Sequence, residues 1–368
     1  MTGGAGSGRI SPDDIRAAVA AGIVTEGQAA SVLALADARA GRRASLPSED
    51  EPFEFFRGFS EIFVSIGLII LLVGIASLLA LVGGVGMLLI LPLLCAGIAW
   101  WWAGYFTLKR RMNLPSMVLA CAYGGGVYLS AVTAFAQVDL PLRSTAIAGF
   151  AVAAVAMGLW YRRFRLPFAA FILGLFTLGA VYAATASLSS LAGLVTGDAD
   201  GLAELVDLRQ SPAFAFATLA FGAAFFVAGM WFDTRDPHRL GRHAATAFWL
   251  HLLAAPALVN PVALTLYNLG GTGGILALAL CLAVIAVLAL VIDRRSFLTA
   301  AIVYIALVLG WAFEGGGGGL GSVTTTLIAL GAIVTALGTW WVQLRAALMR
   351  ALPDFPGKSS LPPVSRPE

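Results

Sequence analysis

Few residues of this chain carry side chains that can do chemistry where they stand. His251 is the first. It lies in "TAFWLHLLAAPAL" (Thr246 to Leu258), part of an apolar run long enough to cross a bilayer. An ionisable group inside such a run is a functional candidate by default, because hydrocarbon disfavours it. Pro256 follows and removes the helical hydrogen bond to the Leu252 carbonyl. An imidazole and a freed carbonyl then stand within about one turn of each other. Asn260 and Asn268 mark the outer side of the same region. His251, Pro256, Asn260 and Asn268 form the candidate intramembrane polar site. Two roles fit the imidazole. It can be a hydrogen-bonding peg between helices, with Tyr128, Tyr182, Tyr304 or the run Thr324, Thr325, Thr326 as hydroxyl partners, or it can line a path for a solute or a proton. The peg is the favoured reading.

Other motifs point away from catalysis. GxxxxGK[ST], HExxH and GxSxG are absent. "DADG" (Asp198 to Gly201) begins like a calcium loop but lacks its glycine and closing glutamate, so a solvated acidic loop is expected. The glycine-rich "EGGGGGLG" (Glu314 to Gly321) has no lysine and reads as an outer turn. Cys95, Cys121 and Cys281 sit in apolar runs with no CxxC pair, which gives neither a disulfide framework nor a zinc site. Asp233 and Asp293 close apolar runs and precede arginines, so they are expected as solvated partners of Arg235 and Arg294. No catalytic residue, cofactor or metal is expected. The net charge of +3 carries no nucleic-acid signal.

The elements that position these residues follow from composition. The 368 residues are 59% hydrophobic and 12% charged, with mean hydropathy +0.88. A soluble domain carries about 25% charged residues, so the apolar excess here must face lipid. A spanning helix needs roughly 20 apolar residues, and about ten runs qualify. They are Ile62–Val82, Val85–Phe106, Ser116–Ala136, Ser144–Tyr161, Phe168–Ser187, Pro212–Phe232, His243–Val262, Gly273–Ile292, Phe297–Phe313 and Leu320–Trp341. Hydrocarbon leaves the backbone no partner but itself, so each must be helical.

The loops orient them. Alternate loops carry Lys109, Arg110, Arg111; Arg162, Arg163, Arg165; Arg235, Arg239, Arg242; Arg294 and Arg295, whereas the opposite loops carry Arg143 and Arg209. Basic loops stay in the cytoplasm, which places both termini there. No cleavable leader precedes Ile62, so the first sixty residues are expected in the cytoplasm as well. Trp100, Trp101, Trp102, Trp160, Trp231, Trp340 and Trp341 fall near the inner boundaries, where indoles favour the interface. Gly67 with Gly74, Gly222 with Gly229, and Gly124 to Gly126 are spaced for close helix contact. The polar stretch Leu188–Gln210 is expected as short helices on the outer surface.

Residues Ser11 to Ala40 read as a two-helix hairpin. Gly22 stops the first helix, Ile23 supplies the apolar contact after it, and Thr25 with Gln28 makes a capping box. Ile15, Val19, Ile23, Val32 and Leu33 are its docking residues, facing either the protein's own membrane domain or a partner. The expected organisation is a cytosolic hairpin (residues 1–45), a linker and interfacial lead-in with Phe56, Phe59 and Phe63 (46–61), a transmembrane domain (62–345) and a cytosolic tail (346–368). The fold class is all-α, a polytopic helix bundle.

"DDIRAAVAAGIVTEGQAASVLAL" (Asp13 to Leu35), followed by a linker and "SIGLIILLVGIASLLA" (Ser65 to Ala80), resembles bacterial membrane proteins grouped as domain of unknown function 2157. The closing "WWVQLRAALMRALP" (Trp340 to Pro353) is similar to endings of related multi-span proteins. The resemblance implies a bacterial inner-membrane location and brings no activity, substrate or cofactor. The expected partners are the lipid bilayer and a protein at the hairpin. A non-catalytic scaffold or sensor is the leading expectation. A transporter or flippase for a neutral or amphiphilic molecule, with a path near His251 and Pro256, is the alternative, and an enzyme on lipid-linked substrates comes third. No span carries Asp, Glu, Lys or Arg in its middle, which tells against an ion-coupled carrier.

Overall fold

The protein is described from a computed structural model. The structure describes residues 12–25, 28–29, 32, 58–83, 87–138, 140–187, 206–236, 242–294, 297, 324, 328, 331–332, 335–354, 358 and 361. Every regular element among them is helical. The chain divides into two units, Met1–Asp50 with Val364–Glu368, and Glu51–Pro363.

In the first unit, α1 (Pro12–Ala20) ends as its sequence dictates. Gly22 takes φ +70°, a left-handed conformation that penalises any β-carbon. Its N–H donates to Val19 O (3.0 Å) and the Ile23 N–H to Ala18 O (2.9 Å), which satisfies the last helical carbonyls. The capping box forms: Thr25 N–H donates to Gln28 Oε1 (2.9 Å) and Gln28 N–H to Thr25 Oγ1 (3.3 Å). Ala29 is buried, and Ile15 and Val19 are half-buried. Ile23 departs from expectation, at 75% exposed. The helical residue it would pack on is Ala18, which offers only a methyl group. Val32 is 50% exposed. Leu33, Phe56 and the linker lie outside the described residues.

The second unit holds α2 (Phe59–Gly83), α3 (Met87–Ala103), a π-helical continuation of α3 (Gly104–Lys109), α4 (Asn113–Ala136), α5 (Leu142–Phe164), α6 (Phe168–Thr185), α7 (Pro212–Asp233), α8 (Arg242–Asn268), α9 (Gly271–Ile292) and α10 (Trp341–Ala351). Among the described residues, seven helices are long and apolar enough to cross a membrane: α2, α3 with its continuation, and α4 to α8. The 22-residue α9 matches the eighth expected run. The ninth and tenth runs, Leu188–Val206 of the outer polar stretch, and Glu314–Gly321 lie largely outside the described residues. The lead-in is continuous with the first span, since α2 begins at Phe59, with Phe59 and Phe63 exposed.

Packing centres on two helices. α4 touches α2, α3, α5 and α6; α8 touches α6, α7 and α9. Among these seven helices α8 is the most buried, with 61% of its apolar stretch enclosed against 17–33% in the other six. The rest present apolar stripes outward, such as Leu276, Leu280 and Val284 on α9.

Glycines permit the close contacts. A β-carbon on Gly126 would lie 2.4 Å from Pro92 O, and one on Gly124 2.8 Å from the Phe176 ring. Gly222 faces Ala257 and Leu258 across the α7–α8 seam. Gly67 and Gly74 correct the expectation: among the described residues nothing lies within 4 Å of a β-carbon at either, and both are exposed. Trp160 is also a correction. It is fully buried against Trp100, Tyr123 and Phe164, because the α3, α4 and α5 ends close around it, while Trp101 stays at the periphery at 75% exposed.

Side-chain contacts identify the two ends of the bundle. At the end bearing most of the arginines, Glu61 of α2 accepts the Asn113 N–H (3.0 Å) and the Leu114 N–H (3.1 Å). A carboxylate from a different helix therefore caps α4, where the helix dipole favours it. At the same end, Tyr161 pairs with Thr246 at 3.2 Å. At the opposite end Arg143 donates to Ala184 O (3.2 Å) and Ala186 O (2.7 Å), closing the C-terminus of α6.

Candidate functional site

α7 and α8 run antiparallel, and their register sets the site. Gly229 lies against the His251 ring, with a β-carbon position 2.8–3.1 Å from three ring atoms. Asp233 follows one turn nearer the basic end. Helical side chains tilt toward their own N-terminus. The Asp233 carboxylate therefore leans back into the bundle while the imidazole leans toward the basic end, and the two meet. His251 Nε2 lies 3.0 Å from Asp233 Oδ2. An ionised carboxylate only accepts, so Nε2 carries the proton and donates.

The third member comes from α9. Asp293 takes φ +56° at the end of that helix, and the Arg294 N–H returns to Ala289 O at 3.0 Å. This left-handed turn swings the Arg294 side chain inward. Arg294 Nε donates to Asp233 Oδ2 (3.1 Å), and Nη2 donates to Asp233 Oδ1 and to Ala244 O (3.2 Å). His251 and Arg294 are fully buried and Asp233 nearly so. Phe226 and Phe297 stand edge-on and tilted to the imidazole, with centroids 5.5 and 6.0 Å away.

A neighbouring cluster extends the arrangement. Trp341 Nε1 donates to Asp293 Oδ1 (2.8 Å), Arg345 Nε donates to Leu290 O (3.2 Å), and Arg345 Nε lies 3.6 Å from Asp293 Oδ1. The expectation that Asp233 and Asp293 are solvated partners of Arg235 and Arg294 is thus overturned. Both acids are buried, and the left-handed turn hands Arg294 to Asp233 rather than to its own neighbour. Arg235 stacks instead on Trp231, 3.5 Å from the ring centroid.

No family model, curated protein or solved structure matches this chain. Geometry and chemistry therefore carry the functional reading. Among the described residues, no group of three or more His, Cys, Asp or Glu is placed to hold a metal ion.

The sequence candidates do not converge. α8 runs unbroken through Pro256 and Pro261, both inside the helix. Pro256 and Asn260 are half-buried beyond His251. Asn268 stands about 25 Å from His251 along the axis. It belongs to a second polar cluster, donating to Asp207 Oδ2 at 2.7 Å. The Arg209 N–H (2.8 Å) and Thr265 Oγ1 (3.3 Å) reach Asp207 Oδ1. This joins the entry to α7 to the exit of α8. Asp207 belongs to the stretch expected on the outer surface and is 1% exposed, because it supplies the acceptor that these three donors need.

Burial pushes the Asp207 carboxyl up. The hydrogen bonds from Asn268, the Arg209 backbone and Thr265, with the Arg209 charge, outweigh that and hold it below its ordinary value of 3.8. A depressed pKa means stability that is present above the ordinary value and lost as pH falls through the folded one. Asp207→Asn should therefore lower the melting temperature at neutral pH. The difference from the parent should shrink once pH drops below 3.8, as followed by thermal unfolding in detergent.

Three residues escaped the sequence reading: Asp233 as the partner of His251, Arg294 as the partner of that carboxylate, and Glu61 as a cap. One signal was available for Asp233. In an antiparallel pair joined by a short loop, an acid ending one span lies about one turn from a histidine two turns into the next.

Proposed function

We propose that this chain is a bacterial inner-membrane protein of about ten spans, with both termini in the cytoplasm, that acts as a non-catalytic scaffold or sensor. Its N-terminal hairpin docks a cytosolic protein. One observation supports this reading above the others: the polar groups inside the bundle bond to one another and are packed over, with Gly229 seated on the imidazole face. A path residue needs contact with water or solute. Here the imidazole is fully buried and clamps α7 to α8 while Arg294 ties in α9. The arginine-rich ends of the spans gather at one end of the bundle, in keeping with a cytoplasmic face there.

The resemblance of residues 13–35 and 65–80 to domain of unknown function 2157 belongs to the same reading. Ile23 and Val32, exposed on a hairpin whose turn is well capped, are the apolar residues available to a partner. A photo-crosslinking residue placed at Ile23 of the full chain should trap one discrete cytosolic protein, and Val32→Asp should abolish that adduct. Adducts to lipid alone, or none under any growth condition, would remove the scaffold reading. A transporter would remain as its rival.

A further inference from the structure

The basic end of the bundle holds two chain reversals with an unusual choice of residue. Arg111, between the π-helical segment and α4, takes φ +52°, and Arg165, between α5 and α6, takes φ +50°. The left-handed region penalises any β-carbon, and glycine is the unstrained residue there. The third non-glycine residue in that region among those described is Asp293, whose carboxylate binds Trp341 and Arg345. Strain kept at two arginines calls for a comparable use of their charge.

Both arginines are exposed, as are Lys109, Arg162 and Arg163, and none of the five forms an ion pair among the described residues. The buried acids nearby are already committed: Glu61 to the start of α4, Asp233 to Arg294 and His251. The π-helical segment and α5 touch each other, so the two basic turns follow neighbouring elements.

The surface directly below these charges is apolar. Trp101, Tyr105 and Leu108 are exposed along the outer side of α3 and its continuation, at helical spacing, and lead up to Lys109. Val152, Val155 and Leu159 do the same on α5 and lead up to Arg162 and Arg163. Tyr105 also accepts a hydrogen bond from Arg110 Nε (2.9 Å), fixing a further cation at the top of its stripe. Two greasy stripes crowned by cations fit a ligand that is hydrocarbon below and anionic above.

We infer that the ends of the π-helical segment and α5 form a binding surface for anionic phospholipid headgroups, with Arg111 and Arg165 on the phosphates and the acyl chains along the Trp101 and Val155 stripes. This rests on membrane embedding and is independent of the scaffold reading. Guanidinium groups suit phosphate oxygens because their fixed donors pair with two oxygens at once. A free anion would make no use of the apolar stripes.

The test uses the full-length protein in neutral detergent, titrated with phosphatidylglycerol, phosphatidylcholine or inorganic phosphate and followed by the thermal unfolding midpoint. Phosphatidylglycerol should raise the midpoint, and the other two should not. In the double variant Arg111→Gly, Arg165→Gly, the half-saturating concentration of phosphatidylglycerol should rise roughly thirtyfold, about fivefold per arginine. Its lipid-free midpoint should be equal to the parent's or higher, because glycine relieves both turns. Lys109→Gln with Arg163→Gln leaves the turns intact and should weaken the response in the same direction. An undiminished phosphatidylglycerol response in both variants overturns the proposal. So does an equal response of the parent to phosphatidylcholine or to inorganic phosphate.

Discussion

Arg294→Met is expected to destabilise the protein by about 3–5 kcal/mol, enough to deplete the folded form. The magnitude follows from what is left behind. Arg294 makes two contacts to the Asp233 carboxylate and one to the Ala244 carbonyl, all without access to water. Removing it strands a buried anion on α7 with only the imidazole for a partner. The pair itself adds little over apolar packing, because both charges lose their hydration on burial. Adding Asp233→Asn to Arg294→Met should therefore recover a large part of the loss. Asparagine removes the stranded charge and still offers an oxygen to the His251 Nε2–H. Unfolding of the parent, both single variants and the double variant in one detergent gives the coupling. Additive losses would mean the two residues do not share a cluster.

Gly229→Leu is the second large effect, at about 2–3 kcal/mol. A β-carbon alone would stand 2.8 Å from His251 Cε1 and 2.9 Å from Nε2. The ring is fully buried, with Phe226 and Phe297 against it, so it is not free to swing out into solvent. Either the ring leaves Asp233 or α7 and α8 separate. His251→Ala should relieve part of the damage in the double variant, since it vacates the space leucine needs. Gly67→Leu is the matched control, for nothing lies within 4 Å of Gly67. Melting temperatures should fall at position 229 and barely change at position 67.

The sequence was legible where one physical rule acts alone. Hydrocarbon forces helices, and the seven helices long and apolar enough to cross a membrane, with α9, stand where the apolar runs predicted helices. The α1 stop at Gly22 and the Thr25–Gln28 box were equally readable, since each involves residues a few places apart. The candidate site was read only in part. His251, which the sequence singled out, is buried, but the other two members of its cluster lie 18 and 43 positions away, reached by the register of α7 on α8 and by a left-handed turn at Asp293. Asp233, Asp293 and Asp207 all sit at helix ends, where a sequence gives the same signal for a solvated carboxylate as for one folded inward. Gly67 and Gly229 show the same limit. Small residues at helical spacing mark a possible close contact, and only the neighbour decides whether it is made.

The proposed function rests on a closed His251–Asp233–Arg294 cluster that clamps α7, α8 and α9 and leaves the imidazole out of contact with water. Acylation of imidazoles by diethyl pyrocarbonate tests this directly. His243 is exposed at the second residue of α8 and serves as the internal standard on the same helix as His251. In native membranes at neutral pH, peptide mass spectrometry should show His243 modified while His251 stays unmodified until the protein is denatured. Modification of His251 at a rate comparable to His243 in the folded protein would contradict the clamp and open the bundle to a solute path.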